Sequence, residues 1–187
     1  FAHGAGKTSV DELIKRLESQ GAPPNERVQL KMVIQEADGS KKERVLTITR
    51  KTEAETRVLV RLLQPSDLKG LSLLTVAAKG GKEEQWLYLP SDKKSRRILG
   101  SNKKGKFLDS EISFEDLSIS TYKQFSNRVA KEDDKMIEIE SKAKADSESS
   151  YGKVVTWVSK PDLKLDKVEY YDKGGKLLKR TQFKGYT

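Results

Sequence analysis

The sequence predicts a mainly antiparallel α+β fold, a sheet of about ten strands with one helix near its start. Three observations predict it. Apolar and polar residues alternate with period two in run after run, as strands with one buried face require. The runs are separated by short turns rich in Gly, Pro and Asp, and only one stretch carries a helical period. A sheet this wide does not stay flat, because strand twist accumulates across it, so it must curl or close. The N-terminal helix and a short helical segment near 107–117 are expected to cover the concave face, forming a lidded trough suited to an apolar ligand.

Composition agrees. Among 187 residues, 35% are hydrophobic and 35% are charged, so apolar residues must be used economically, and sheets with one wet face do this. The length fits a single domain over 1–187. No apolar run approaches the roughly 20 residues of a membrane-spanning helix. There are no cysteines, which removes disulfides, thiol nucleophiles and thiolate zinc sites. The net charge of +9 points to an anionic partner or to a solvated basic surface. Nucleic acid is not expected, since the charge is spread over almost every strand and no recognition helix or aromatic platform accompanies it.

Residues 1–8 are expected to be a flexible lead-in. Gly6-Lys7-Thr8 is not a phosphate-binding loop, because Phe1 occupies the position of its first glycine and no strand precedes it. His3, the only histidine, falls in this tail. A helix starts at Ser9, which forms a capping box with Glu12, and Val10, Leu13, Ile14 and Leu17 make one apolar stripe. Gly21, Pro23 and Pro24 end it. Too short to stand alone, it must lie on an apolar surface.

Strands are expected at 27–36, 43–51, 56–63, 71–78, 85–89 and 96–99. Their turns are Ala37-Asp38-Gly39-Ser40, Pro65 to Gly70, and Lys79-Gly80-Gly81-Lys82. Ser113 and Asp116 mark a helical turn inside a loop over 107–117. Strands resume at about 120–130, 135–142, 153–159, 163–171 and 176–183.

Catalytic signals are weak. Asp109, Glu111, Glu115 and Asp116 could act as an acid–base pair or hold a hard cation. They also fit a helix start, where negative charge is favoured, facing the basic arm Lys93, Lys94, Arg96 and Arg97. No histidine, glycine-rich loop or nucleophile signature stands beside them, so no catalytic residue, metal or cofactor is assigned. The aromatics Trp86 and Tyr88 share one strand face, and Trp157 sits on a later strand. They would line an acyl-chain site if they faced the trough and would be rim packing otherwise. The candidates for the apolar cavity are Leu13, Leu17, Val28, Leu30, Met32, Ile34, Val58, Val60, Leu62, Trp86, Tyr88 and Trp157. Lys93, Lys94, Arg96 and Arg97 are candidates for an anionic surface.

The order of motifs carries a resemblance. Pro65-x-Asp67-x-Lys69-Gly70 is followed by Trp86-Leu87-Tyr88-Leu89-Pro90, then by Lys93-Lys94-x-x-Arg97-Ile98. Phe107, Ser110-Glu111 and Phe114-Glu115-Asp116-Leu117 come next, and Tyr151, Trp157 and Lys167-Val168-Glu169-Tyr170-Tyr171-Asp172 with Gly175 and Lys176 close the set. This series resembles the outer-membrane lipoprotein-sorting proteins, the LolA-like periplasmic carriers. The resemblance covers most of 27–183.

It implies a strongly curved, unclosed half-barrel sheet with helices over its concave face and an apolar cavity. It further implies a carrier or chaperone for lipoproteins or lipids, located in the periplasm after removal of a signal peptide. Its partners would be an inner-membrane transporter and an outer-membrane acceptor, with peripheral membrane contact through the basic arm. It implies no enzyme activity. Asp109 stands where the family has glycine, and relatives continue with further strands beyond Thr187. The alternative is a non-transporting interaction module or accessory subunit of an envelope lipid-export complex, with a cavity filled by its own side chains. A hydrolase built on Glu115 and Asp116 is the third class.

Overall fold

The computed structural model describes residues 9–19, 23–78, 83–119 and 121–183. The lead-in at 1–8, with His3, and the Lys79 to Lys82 turn lie outside the described residues. Among the described residues there are eleven strands and one α-helix, with several short 3₁₀ segments. The fold is therefore mainly antiparallel β with an N-terminal helix. The contacts divide the chain into two compact units, Phe1–Gly21 with Thr121–Thr187 and Ala22–Ser120.

The Ala22–Ser120 unit is a six-stranded antiparallel meander of β1 (Asn25–Gln35), β2 (Lys41–Thr52), β3 (Glu55–Gln64), β4 (Ser72–Ala78), β5 (Glu83–Leu89) and β6 (Lys94–Ile98), in that spatial order. Each turn has a local cause. In the β1–β2 hairpin, Gly39 takes φ +86°, and the Asp38 carboxylate accepts the Ser40 N–H at 2.9 Å. After β3, Gly70 at φ +90° lets its N–H reach back to the Leu62 carbonyl at 2.8 Å. L-residues with a side chain adopt such angles only at a cost.

The other unit is a five-stranded antiparallel sheet in the spatial order β11, β10, β9, β8, β7. These are β7 (Phe125–Glu132), β8 (Met136–Ala143), β9 (Lys153–Ser159), β10 (Lys164–Tyr171) and β11 (Leu177–Gln182). The helix α1 (Val10–Ser19) lies on this sheet. Its Leu13 joins Ile137, Ile139, Val158 and Leu163 in one buried cluster, with Val10 and Leu17 packed against it. Tertiary packing thus supplies what a ten-residue helix lacks by itself. Neither sheet closes on itself: β1 and β6 are the edges of one, and β7 and β11 of the other. No helix among the described residues is long and apolar enough to cross a membrane.

Candidate functional site

Strand register decides which candidate residues share a surface. In the six-stranded sheet Leu30 pairs with Leu46, Leu46 with Leu62, Val60 with Leu73, and Leu73 with Leu87. Val28, Leu30, Met32, Ile34, Val58, Val60 and Leu62 therefore lie on one face. Its centre is a buried cluster of Leu46, Val60, Leu62, Leu73 and Phe107. Toward the β1 edge the covering thins, and Leu30 is 46% exposed.

Trp86 and Tyr88 stand on the opposite face, each 37% exposed, because Trp86 pairs with Leu74 and Arg97 rather than with the inward set. They cannot line one hollow together with Val60 and Leu62. The β5 residues that share that inward face include Gln85 and Leu87, two-residue alternation placing them out of phase with the aromatics. The Arg97 guanidinium sits 5.8 Å from the centre of the Trp86 ring. Arg97 also pairs with Glu84, and Arg96 pairs with Asp92 at 2.9 Å. The basic arm thus runs along the exposed edge strand β6, with Lys93 in the turn before it.

The acidic segment covers the inward face. Phe107 and Phe114 meet edge to face at 5.8 Å, and both pack on the buried cluster with Leu108 and Leu117. Ser113 and Asp116 cap each other's backbone: the Ser113 N–H reaches Asp116 Oδ2 at 2.6 Å and the Asp116 N–H reaches Ser113 Oγ at 3.3 Å. Glu111 pairs with Lys106. The Glu83 carboxylate accepts the Ile119 N–H at 2.7 Å. Gln85, fully buried, donates from Nε2 to the Phe114 carbonyl at 2.8 Å. These contacts fasten a loop to a sheet. Among the described residues no group of three ligating side chains converges as a metal site.

Leu108 and Asp109 adopt φ +55° and +58° in succession. The backbone at Asp109 keeps the left-handed turn that glycine makes without penalty, and aspartate tolerates it better than most residues. Asp109→Val is expected to lose about 1–2 kcal/mol of stability, while Asp109→Gly stays within about 1 kcal/mol of the parent; urea unfolding midpoints measure both.

On the five-stranded sheet, α1 and Trp157 use opposite faces. Ile137, Ile139, Thr156 and Val158 face α1, while Trp157 alternates away and carries the Lys167 ammonium 3.6 Å from its ring centre. Beside it, the carboxylate of Glu169 accepts the Tyr171 hydroxyl at 2.6 Å and the Arg180 Nε–H at 2.8 Å, with Lys167 at 3.3 Å. Chiefly the Tyr171 hydrogen bond, helped by Arg180 and Lys167, holds the Glu169 carboxyl below the ordinary glutamate range despite its burial. A depressed carboxyl pKa stabilises the fold above the unfolded-state value, and that contribution disappears as pH falls through the folded value. Thermal unfolding of the parent should therefore lose more stability below about pH 4 than Glu169→Gln does; parallel loss in both proteins would refute it.

The register leaves the twelve cavity candidates in four places. Leu13 and Leu17 are on the sheet-facing side of α1, the β1 and β3 residues are on the face that the acidic segment covers, Trp86 and Tyr88 are on the other side of that sheet, and Trp157 is on the five-stranded sheet's face away from α1. Sequence reasoning passed over Gln85, the Glu169 network and a polar set on the α1-facing side, Asn127, Ser141 and Thr156. The signal for the last was available: Ser141 and Thr156 fall in phase with Ile137, Ile139, Val154 and Val158 at inward positions, where strands place apolar residues.

Residues 54–187 match a family model described as "Uncharacterized protein". Curated proteins give no match. Among solved structures, a domain from Vibrio parahaemolyticus described as an outer membrane lipoprotein-sorting protein is 27% identical with a TM-score of 0.81, over 94% of this chain and 77% of that one. A DUF1329 family protein from Desulfovibrio piger is 24% identical with a TM-score of 0.81, over 90% of this chain and 75% of that one. A LolA superfamily protein from Nitrosomonas europaea is 16% identical with a TM-score of 0.71, over 96% and 79%. The last two share the fold. The resemblance read from the motif series is borne out.

Proposed function

We propose that this chain, similar over most of its length to an outer membrane lipoprotein-sorting protein domain, is a periplasmic carrier that holds lipoprotein acyl chains or lipids for transfer between envelope membranes. One observation carries the reading: similarity to the lipoprotein-sorting domain extends over 94% of the chain at 27% identity. The inward face toward the β1 edge adds physical support, since a carrier needs accessible apolar surface and Leu30 there is 46% exposed. On this reading the acidic residues at 109–116 anchor a covering loop and have no catalytic task. An inner-membrane transporter would load the carrier and an outer-membrane acceptor would unload it.

The basic edge strand, next to the exposed Trp86 and Tyr88, is a surface for peripheral contact with anionic headgroups. Amphipathic aromatic rings favour the water–lipid boundary, and the cations supply attraction that salt screens within about 10 Å at 0.1 M.

The test is mass spectrometry of lipid extracted from protein purified without detergent, paired with displacement of a fluorescent acylated probe by a purified lipoprotein. Co-purifying lipid and competitive displacement are the expected results. Absence of both would sink the carrier reading and leave an interaction module. Flotation with anionic vesicles, expected to weaken between 50 and 500 mM salt (about a tenfold range chosen to cross the Debye regime), tests the surface contact separately; binding that ignores salt excludes it.

A further inference from the structure

The α1-facing side of the five-stranded sheet is divided by a line of polar side chains. One hydrophobic cluster contains Ile137, Ile139 and Val158, with Val129 and Leu165 packed against it. The other contains Phe125, Val154 and Val168. Between them, one residue per strand, run Asn127 on β7, Ser141 on β8 and Thr156 on β9. Asn127 pairs directly with Ser141, and Thr156 is two residues along β9 from Val154, the partner of Ser141. Direct and diagonal neighbours of this kind are within about 5–8 Å, so the three side chains form a continuous seam.

Each seam residue has a buried oxygen with no hydrogen bond: Asn127 Oδ1, Ser141 Oγ and Thr156 Oγ1. Ser141 and Thr156 are 0% exposed. The amide nitrogen of Asn127 is occupied, donating to the carbonyls of Tyr122 and Phe125 at 3.3 Å each, which fixes its oxygen as the group left over. A buried polar atom without a partner keeps its full desolvation penalty, and valine or alanine would fill these positions without it. Three such atoms in one row, between two apolar clusters, are poor packing but a coherent recognition surface. The Asn127 end of the row borders open space. Asn127 is a wall of a groove of about 590 Å³ that runs between α1 and β7, lined further by Asp11, Ile14, Lys15 and Phe125.

We infer that Asn127, Ser141 and Thr156 form a specificity subsite for an acyl chain bearing a hydroxyl or amide N–H part-way along its length. The inference rests on the carrier reading and narrows its cargo. The apolar clusters on either side take the hydrocarbon flanking the polar group. Asn127 Oδ1 can only accept, so the ligand must supply an O–H or N–H, which excludes a plain ester or an unsubstituted chain as the preferred occupant. Ser141 and Thr156 can donate or accept and so satisfy the remaining lone pairs or protons of that group. A site built to hydrogen-bond a ligand group discriminates against the analogue lacking it, because its own buried atoms are then left unpaired.

The test compares stearic acid with 12-hydroxystearic acid, two probes of equal chain length differing by one mid-chain hydroxyl. Affinities come from titration calorimetry on the full chain and on Ser141→Ala and Thr156→Val, with folding of each confirmed by thermal unfolding. The parent is expected to bind the hydroxy acid about tenfold more tightly. Each variant is expected to reduce that preference to about twofold or less while binding stearic acid at least as well as the parent does. Equal affinity of the parent for the two acids, or a preference that survives in both variants, overturns the subsite and leaves the carrier reading standing. Failure of either acid to bind any of the three proteins overturns both.

Discussion

Leu13→Ala is expected to destabilise the α1-bearing unit by about 2–5 kcal/mol, the range for truncating a fully buried leucine in a packed core. Leu13 is 1% exposed and is the helix's central contribution to the cluster with Ile137, Ile139, Val158 and Leu163. A ten-residue helix has little stability of its own, so losing this contact should release the helix as a unit rather than merely leave a hole in the sheet. The expected signature is early hydrogen exchange at the amides of residues 10–19, with β8 and β9 remaining protected. Uniform loss of protection across the five strands would mean that α1 is part of the nucleus of this unit rather than a cover on it. The distinction matters for a carrier, because a cover that detaches locally can admit a ligand without unfolding the sheet.

The second large effect is expected at Gln85. Its side chain has no exposure and carries the hydrogen bond from Nε2 to the Phe114 carbonyl across a separation of 29 residues. Gln85→Ala removes that bond and leaves a cavity beneath the acidic segment, at a combined cost of about 2–4 kcal/mol. Gln85→Leu keeps most of the volume and should cost about 1 kcal/mol, since the Phe114 carbonyl retains the Leu117 N–H at 3.2 Å. Denaturant midpoints would separate packing from hydrogen bonding by the gap between the two variants. Equal losses would assign the anchoring entirely to the hydrogen bond. Both changes should also speed exchange at residues 107–117, where Phe107, Phe114 and Leu117 hold the segment down.

Much of this architecture was legible from residue order. Alternation at Val28 to Ile34 and at Val58 to Leu62 placed strands and named their inward residues, because a side chain on a pleated strand has only two directions. Ser9 to Leu17 announced a helix, Asp38-Gly39 a hairpin, and Ser113 with Asp116 a helical turn, since each depends on bonds within a few residues. The ordered series from Pro65 to Lys176 carries the resemblance to the outer-membrane lipoprotein-sorting proteins, since its turns and strand ends are local chemistry.

Strand pairing decided the rest. Whether Trp86 lies beside Val60 or behind it depends on the register of β5 against β4, and a shift by one residue would reverse the answer. Which sheet α1 lies on depends on Leu13 meeting β8 and β9, more than a hundred residues away in the chain. Asn127, Ser141 and Thr156 are unremarkable separately; only the cross-strand pairs Asn127 with Ser141 and Ile139 with Thr156 align them into a seam. Residue order alone set the elements and their inward faces, because those follow from backbone propensity and period. Long-range packing within each unit set which strands pair, where polar atoms are left buried without partners, and which aromatics look outward, because those follow from contacts between residues that the chain keeps far apart.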